Sequence, residues 1–386
     1  MREQKRLVVC FDGTWNNADT SGETATNVER IARAVRGDSG DIPQITLYLR
    51  GVGSTGYRLQ RIIDGATGLG VDDNIRSAYQ FLAQNYLPER GDGDGGTIPA
   101  DEIFLFGFSR GAFSARSLAG FISTSGLLKR QQLDDLADAW RYYRERGDDK
   151  NSKSFCEASG SDCHHDPEIK FVGVWDTVGA LGIPTSTIDL PLLEEDYAFH
   201  DTTPSRIVRH AYHGLAIDEH RDEFVPTLWT GEVPEGATIE QVWFAGAHSD
   251  VGGGYTNREL ADIPLNWMAE KAKACGLDLD DSLLPSPATL NVLAAQHESR
   301  VSFGLKDRLT PTIRTIRSRD FDTSWRERAY RPVDENGNPL RPLNEAVHES
   351  AKRRFGKTAS LIIGDDNSTS EDTIYEPKNL GAALRA

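Results

Sequence analysis

The sequence predicts an α/β fold: a mostly parallel sheet covered by helices on both faces. Three observations predict it. Short apolar runs end repeatedly at polar residues, amphipathic helical patterns lie between them, and one run passes through a glycine-flanked turn directly into a helix. Parallel strands need long crossovers and are buried on both faces, so they read as continuous apolar runs rather than alternating ones.

The elements follow in order. Leu7 to Phe11 is a short buried-strand pattern that stops at the turn signal Asp12-Gly13. Val28, Ile31, Ala32 and Val35 recur at i, i+3, i+4 and i+7, which predicts a helix from Asn27, its cap, to Arg36. Ile45 to Leu49 reads as a second strand. Beyond a glycine-rich stretch, Ile75, Tyr79, Leu82 and Tyr86 share one face of a helix from Asp72 to Leu87, closed by a loop from Glu89 to Thr97. The strand Glu102 to Gly107 leads through Phe108-Ser109-Arg110-Gly111 into a helix from Ala112 to Ser123. Leu133 to Glu145 is helical. Ile169 to Trp175 is a strand ending at Asp176-Thr177, and Gln241 to Ala245 one ending before His248. Pro264 opens and Gly276 closes a further helix. From Lys306 to Pro342 the chain reads as a long loop rich in Arg, Asp and Pro. No repeat or linker divides it, so the expectation is one α/β domain over residues 1–363, with its core in 5–275, an accessory part in 276–363, and a polar tail in 364–386.

Among 386 residues, 43 Lys and Arg stand against 59 Asp and Glu, a net charge of −16 that repels nucleic acid. No apolar run approaches the ~18–20 residues that cross a bilayer as a helix. The apolar stretch after the charged N-terminus ends at Phe11, too short for a signal-peptide core, so cytoplasmic synthesis is expected, with any export by a route that uses no signal peptide. Four scattered cysteines are too few for a disulfide scaffold and fit a reducing compartment.

Gly107-Phe-Ser-Arg-Gly111 is G-x-S-x-G between a strand and a helix, where glycines on either side of Ser109 leave room for the tight turn that projects a nucleophilic hydroxyl. The Arg110 amide, at the start of the following helix, faces the same place and suits an oxyanion. A serine needs a base, and the base an orienting acid. The chain order Ser, acid, His is that of α/β-hydrolases, and Asp176 and His248 both follow strand ends, where a parallel sheet gathers its site. Gly13 allows close approach of the first loop, and the amide or hydroxyl of Thr14 is the candidate second oxyanion donor, although a simple Asp-Gly turn reads equally well.

His348 also satisfies the order and rivals His248 as base; read otherwise, it is a helical residue bonded locally. Asp250 and Asp218 rival Asp176. His164, His165, His200, His210, His213, His220 and His297 fall in loop or helix patterns and read as surface or packing residues. Cys156, Cys163, His164 and His165 have the right ligand types for zinc but no usual spacing, and read as an exposed loop able to form a local disulfide. No metal and no cofactor is expected.

Together these strings resemble a known family, the catalytic domain of the first family of type VI secretion lipase effectors. The resemblance runs through Phe11-Asp-Gly-Thr-Trp-Asn16, Tyr48-Leu-Arg-Gly-Val-Gly53, Gly107-Phe-Ser-Arg-Gly-Ala112, Val172-Gly-Val-Trp-Asp-Thr-Val-Gly179 and Val242 to Tyr255, spanning about residues 5–275. It implies an α/β-hydrolase fold and a Ser-Asp-His esterase, phospholipase A in characterised members, with Ser109, Asp176 and His248 at the triad positions. The expected partner is a lipid or other ester substrate, with peripheral contact to a membrane left open. Trp15, Phe108 and Trp175, each beside a candidate loop, are the aromatics that could line an apolar entrance, although burial in the core is the commoner fate of such side chains. The alternatives are a cutinase-like or small-ester hydrolase using the same triad, and an inactive scaffold that only binds.

Overall fold

The computed structural model describes residues 3–13, 25–37, 40, 42–51, 69–145, 150–179, 202–300, 310–334, 336–363 and 369–385. Its centre is a sheet of seven strands: β1 (Arg6–Phe11), β2 (Gln44–Leu49), β3 (Glu102–Phe108), β4 (Ile169–Trp175), β5 (Val208–Ala216), β6 (Thr238–Phe244) and β7 (Glu345–Val347). They lie in the spatial order β7-β6-β5-β4-β3-β1-β2, and every neighbouring pair is parallel. The order reverses between β1 and β3, so the connections leaving these two strands diverge and open a crevice at their carboxyl ends.

Both faces of the sheet are covered, as the continuous apolar runs require. In β1, Leu7, Val9 and Phe11 pack on one side with Ile75, Tyr79 and Leu82 of α2 (Leu69–Asn85) and Leu118 and Phe121 of α3 (Arg110–Ser125). Val8 and Cys10 face the other side, against Val28 and Ile31 of α1 (Asn27–Ala34) and Leu265 and Met268 of α4 (Asp262–Ala274). The cap of α1 is Thr26 rather than Asn27: its hydroxyl accepts from the Glu29 amide, while Asn27 is buried and donates to the Val251 and Ala261 carbonyls. The stretch expected as one helix over 133–145 is a 3₁₀ segment, Arg130–Asp135, followed by a helix over Leu136–Arg144.

Two strands escape the periodicity argument. In β5 the run Val-Arg-His-Ala-Tyr-His-Gly-Leu-Ala puts His210 and His213 into the sheet, not into the loop or helix expected of them. His213 is fully buried there, because Gln241 and the Thr177 amide satisfy its two ring nitrogens. The edge strand β7 has only three residues, too few to show a pattern. Cys156 and Cys163 are also more ordered than an exposed loop: the first sits on a helix over Ser152–Ser159, the second is buried in a short strand, and the two are joined as a disulfide.

Residues beyond 275 pack on the end of the sheet. Leu215 and Trp243 form a third cluster with Ile316, Val347, Tyr375 and Leu380. The last segment, which reads as a polar tail, supplies a strand over Ser370–Ile374 and a helix over Lys378–Leu384 whose Leu380 and Ala383 are buried. Its apolar residues are few, but they are concentrated on one short helix. No helix among the described residues is long and apolar enough to cross a membrane.

Candidate active site

Ser109 occupies the turn between β3 and α3 with φ 58° and ψ −122°, a conformation costly for a residue with a side chain. The turn is held on both sides. The Ser109 amide donates to the Trp175 carbonyl at 3.1 Å, and the Ser109 carbonyl accepts from the Ala112 amide at 3.1 Å. A Cβ at Gly107 would lie 2.4 Å from the Gly111 carbonyl oxygen, and one at Gly111 only 2.2 Å from that of Phe11. The two glycines thus let helix α3 start directly against the ends of β3 and β1. Arg110 opens α3, and burial lowers its guanidinium pKa to about 10.

Asp176 follows β4, and His248 follows β6 at the start of a short helix over His248–Gly252. The strand between them, β5, brings them together: the Asp176 amide donates to the Gly214 carbonyl, and Asp176 Oδ1 accepts from the Ala216 amide at 3.0 Å. His248 Nδ1 lies 2.6 Å from Asp176 Oδ2. A carboxylate only accepts, so this nitrogen carries the proton and Nε2 is left as the basic one. The imidazole ring sits between Phe108, at 4.5 Å, and Phe224, at 4.9 Å edge-on. Since Phe108 precedes Ser109, this packing brings the ring beside the serine turn.

The electrostatics are those of a buried, compensated cluster. Burial lowers the His248 pKa below its ordinary value, outweighing the hydrogen bond and charge of Asp176 and the charge of Glu219. Burial alone would raise Asp176, but the Arg314 guanidinium and then His248 overcome it and hold the carboxylate well below the usual range. Glu219 behaves alike: burial raises it, Arg221 outweighs burial, and its pKa falls to about 2. Glu219 Oε2 accepts from the His248 amide at 3.2 Å, and both its oxygens take the Arg221 fork.

The rivals have other partners. His348 caps the helix over Glu349–Arg354: its Nδ1 accepts from the Ser350 amide, and its ring stacks on Phe244. Asp250 bonds His297, and Asp218 accepts from the Gly246 amide and the Tyr375 hydroxyl. Gly13 lies against the Phe108 ring, but its amide donates to Asp12 Oδ1 at 2.7 Å and so is not a spare oxyanion donor. Asp12 also accepts from Thr26 and Tyr48, and burial lifts its pKa to about 7. Thr14 and Trp15 lie outside the described residues. Trp175 is fully buried, its indole N–H on the Pro264 carbonyl, and Phe108 is 3% exposed, so neither lines an open entrance. Sequence reading missed Arg314, Glu219 and Phe224. Only Glu219 had a nearby signal, its neighbour Asp218, and nothing local marks Arg314.

The sheet order and the strand-to-helix serine turn define a protein of the α/β-hydrolase fold class. More narrowly, the family model described as the catalytic domain of Tle1-like type VI secretion phospholipase effectors matches residues 5–271, and the chain belongs to that family. It is 31% identical over 248 residues to an uncharacterized protein of Saccharomyces cerevisiae, covering 58% of this chain and 33% of that protein. Among solved structures it is similar to an uncharacterized protein from Pseudomonas aeruginosa, at 20% identity over 74% of this chain and 48% of the other, with a TM-score of 0.46. The Tle1 effector bound to the VgrG spike of the type 6 secretion system gives 20% identity over 66% and 51%, with a TM-score of 0.37. The chain spans about a third of the yeast protein and about half of each of these structures.

Proposed function

We propose that this protein is a serine hydrolase of carboxylic esters, with phospholipids or other lipid esters as its first substrate class, and that it works through an acyl-enzyme. The observation that carries the reading is the 2.6 Å contact of His248 Nδ1 with Asp176, on a ring packed against the residue that precedes Ser109. Ser109 Oγ attacks the ester carbonyl while His248 Nε2 takes its proton. Asp176 holds the ring and offsets the imidazolium charge. His248 then returns the proton to the departing alcohol, and a water that it deprotonates hydrolyses the acyl-serine. The Arg110 amide, in the first turn of α3, stabilises the oxyanion, with the amide or hydroxyl of Thr14 as the second donor. No cofactor enters this scheme. The lipid assignment rests on family membership.

The test compares phosphatidylcholine vesicles with a short-chain aryl ester and labels the protein with a fluorophosphonate. Labelling lost in Ser109→Ala, with turnover of either ester lost alongside, supports the serine mechanism. An aryl ester hydrolysed without vesicle hydrolysis makes it a small-ester enzyme, and a folded protein that neither labels nor turns over either ester is an inactive scaffold. We further propose that residues 1–363 fold as one unit with the segment that follows, because the third cluster mixes sheet and C-terminal side chains. Type VI delivery, which the family description implies, is the export route to test.

A further inference from the structure

Arg314 ends a short strand, Thr312–Arg314, well beyond residue 271 where the family match stops. Its side chain is 1% exposed, and its two terminal nitrogens are fully committed. Nη1 donates to Asp176 Oδ1 at 2.7 Å and to the Ala216 carbonyl at 2.8 Å. Nη2 donates to Asp176 Oδ2 at 3.0 Å and to the Phe224 carbonyl. The fork therefore grips both oxygens of the carboxylate that holds His248, and at the same time anchors β5 and the segment carrying the Phe224 ring that lies against His248.

This has two physical consequences. A bidentate guanidinium fixes the plane of a carboxylate, so Oδ2 is aimed at the imidazole and cannot rotate away. Its positive charge also offsets the Asp176 charge, so an imidazolium at His248 gains less than it would from an unshared carboxylate. The other charges around the pair balance: Glu219, on the His248 amide, is matched by Arg221. His213, which accepts from the Thr177 amide beside Asp176, is held neutral by burial and by Arg116.

We propose that Arg314 is the positioning residue of this site: its fork fixes Asp176 and offsets its charge, so that the C-terminal region completes the site and sets the pH at which His248 can act as a base. The inference rests on the reading of His248 as that base.

The experiment uses the full chain and follows kcat/KM for a short-chain aryl ester against pH in the wild type, Arg314→Lys and Arg314→Gln, with active sites counted by fluorophosphonate. Gln removes the charge and should move the acidic limb up by about one pH unit, along with a loss of about ten-fold or more in kcat. Lys keeps the charge but not the fork, so it should lower kcat and leave the limb in place. Equal losses in both variants with an unmoved limb would reduce Arg314 to a packing residue. Where neither variant yields labelled protein, Arg314→Ala assayed with added guanidinium ion decides: labelling restored by guanidinium and not by ammonium supports the fork, and no restoration overturns it. Turnover retained in Ser109→Ala defeats the serine mechanism itself, whereas an inactive Ser109→Ala with an unmoved limb in Arg314→Gln defeats only the role of Arg314.

Discussion

Asp250 bonds the imidazole of His297, not that of His248. Its Oδ1 lies 2.7 Å from His297 Nδ1 and its Oδ2 accepts the His297 amide at 2.9 Å, so the acid two residues from His248 in sequence serves a different ring. Asp176, from a strand two places away in the sheet, takes the place beside His248 instead.

Replacement of the proposed nucleophile should separate chemistry from folding. Ser109→Ala removes one hydroxyl from a nearly buried turn and relieves no packing, so its melting profile should match the wild type while ester turnover falls ~10³-fold or more. His248→Ala should be as damaging, and the double variant little worse than either, because the members of a catalytic triad act as one unit. Parallel melting curves and active-site-titrated rates check both; a Ser109→Ala retaining a tenth of the rate contradicts the mechanism.

His348→Ala tests the rival base. The residue caps a helix over Glu349–Arg354 and stacks on Phe244, so the loss should be one of stability, about 1 kcal/mol, with kcat/KM little changed. Urea unfolding beside steady-state kinetics reads both numbers. A collapse of turnover in a stably folded His348→Ala would move the base away from His248.

Asp12 and Asp176 should give stability pH dependences of opposite sign. Asp12 is raised from 3.8 to about 7, so the folded state holds its proton more tightly than the unfolded chain does. Its contribution is therefore full below 3.8 and is lost as the pH rises through about 7. Asp176 is lowered, so its contribution is present above 3.8 and is lost as the pH falls through its folded value. Asp12→Asn cannot ionise, and its stability relative to the wild type should rise with pH between 3.8 and about 7. Urea midpoints across that window measure this, and a constant difference would mean that Asp12 does not titrate there.

Chelation should leave turnover unchanged, since the proposed chemistry uses side chains and backbone amides. Among the described residues, one group of ligand types converges, Cys156, Cys163 and His165, and two of its members are joined as a disulfide. Dialysis against a chelator followed by an ester assay checks the expectation; activity lost there and restored by zinc would reopen that cluster.

Turnover should also rise with acyl chain length and depend little on salt, because a chain at −16 gains no overall attraction to anionic lipid. Each acyl methylene that binding removes from water contributes ~0.8 kcal/mol. A series of esters from acetyl to long-chain phosphatidylcholine, each at low and high salt, decides it. A preference for the shortest acyl group at every salt concentration would exclude the lipid reading.

Local signals marked Ser109, Asp176 and His248 because each depends on its immediate neighbours: an apolar run long enough for one buried strand, then glycine or a polar residue where the run must stop. These patterns also told which faces of α1 and α2 are buried. They could not show β5, whose arginine and two histidines look like surface until Gln241 and the Thr177 amide close around His213. They favoured Asp176 over Asp218 and Asp250 only by its place after a strand, since a carboxylate's actual partner depends on which strands become neighbours. Arg314 is the extreme case. Burying a guanidinium is costly unless an acceptor awaits it, and that acceptor, Asp176, is distant in sequence and reaches it only when the C-terminal region packs against the end of the finished sheet.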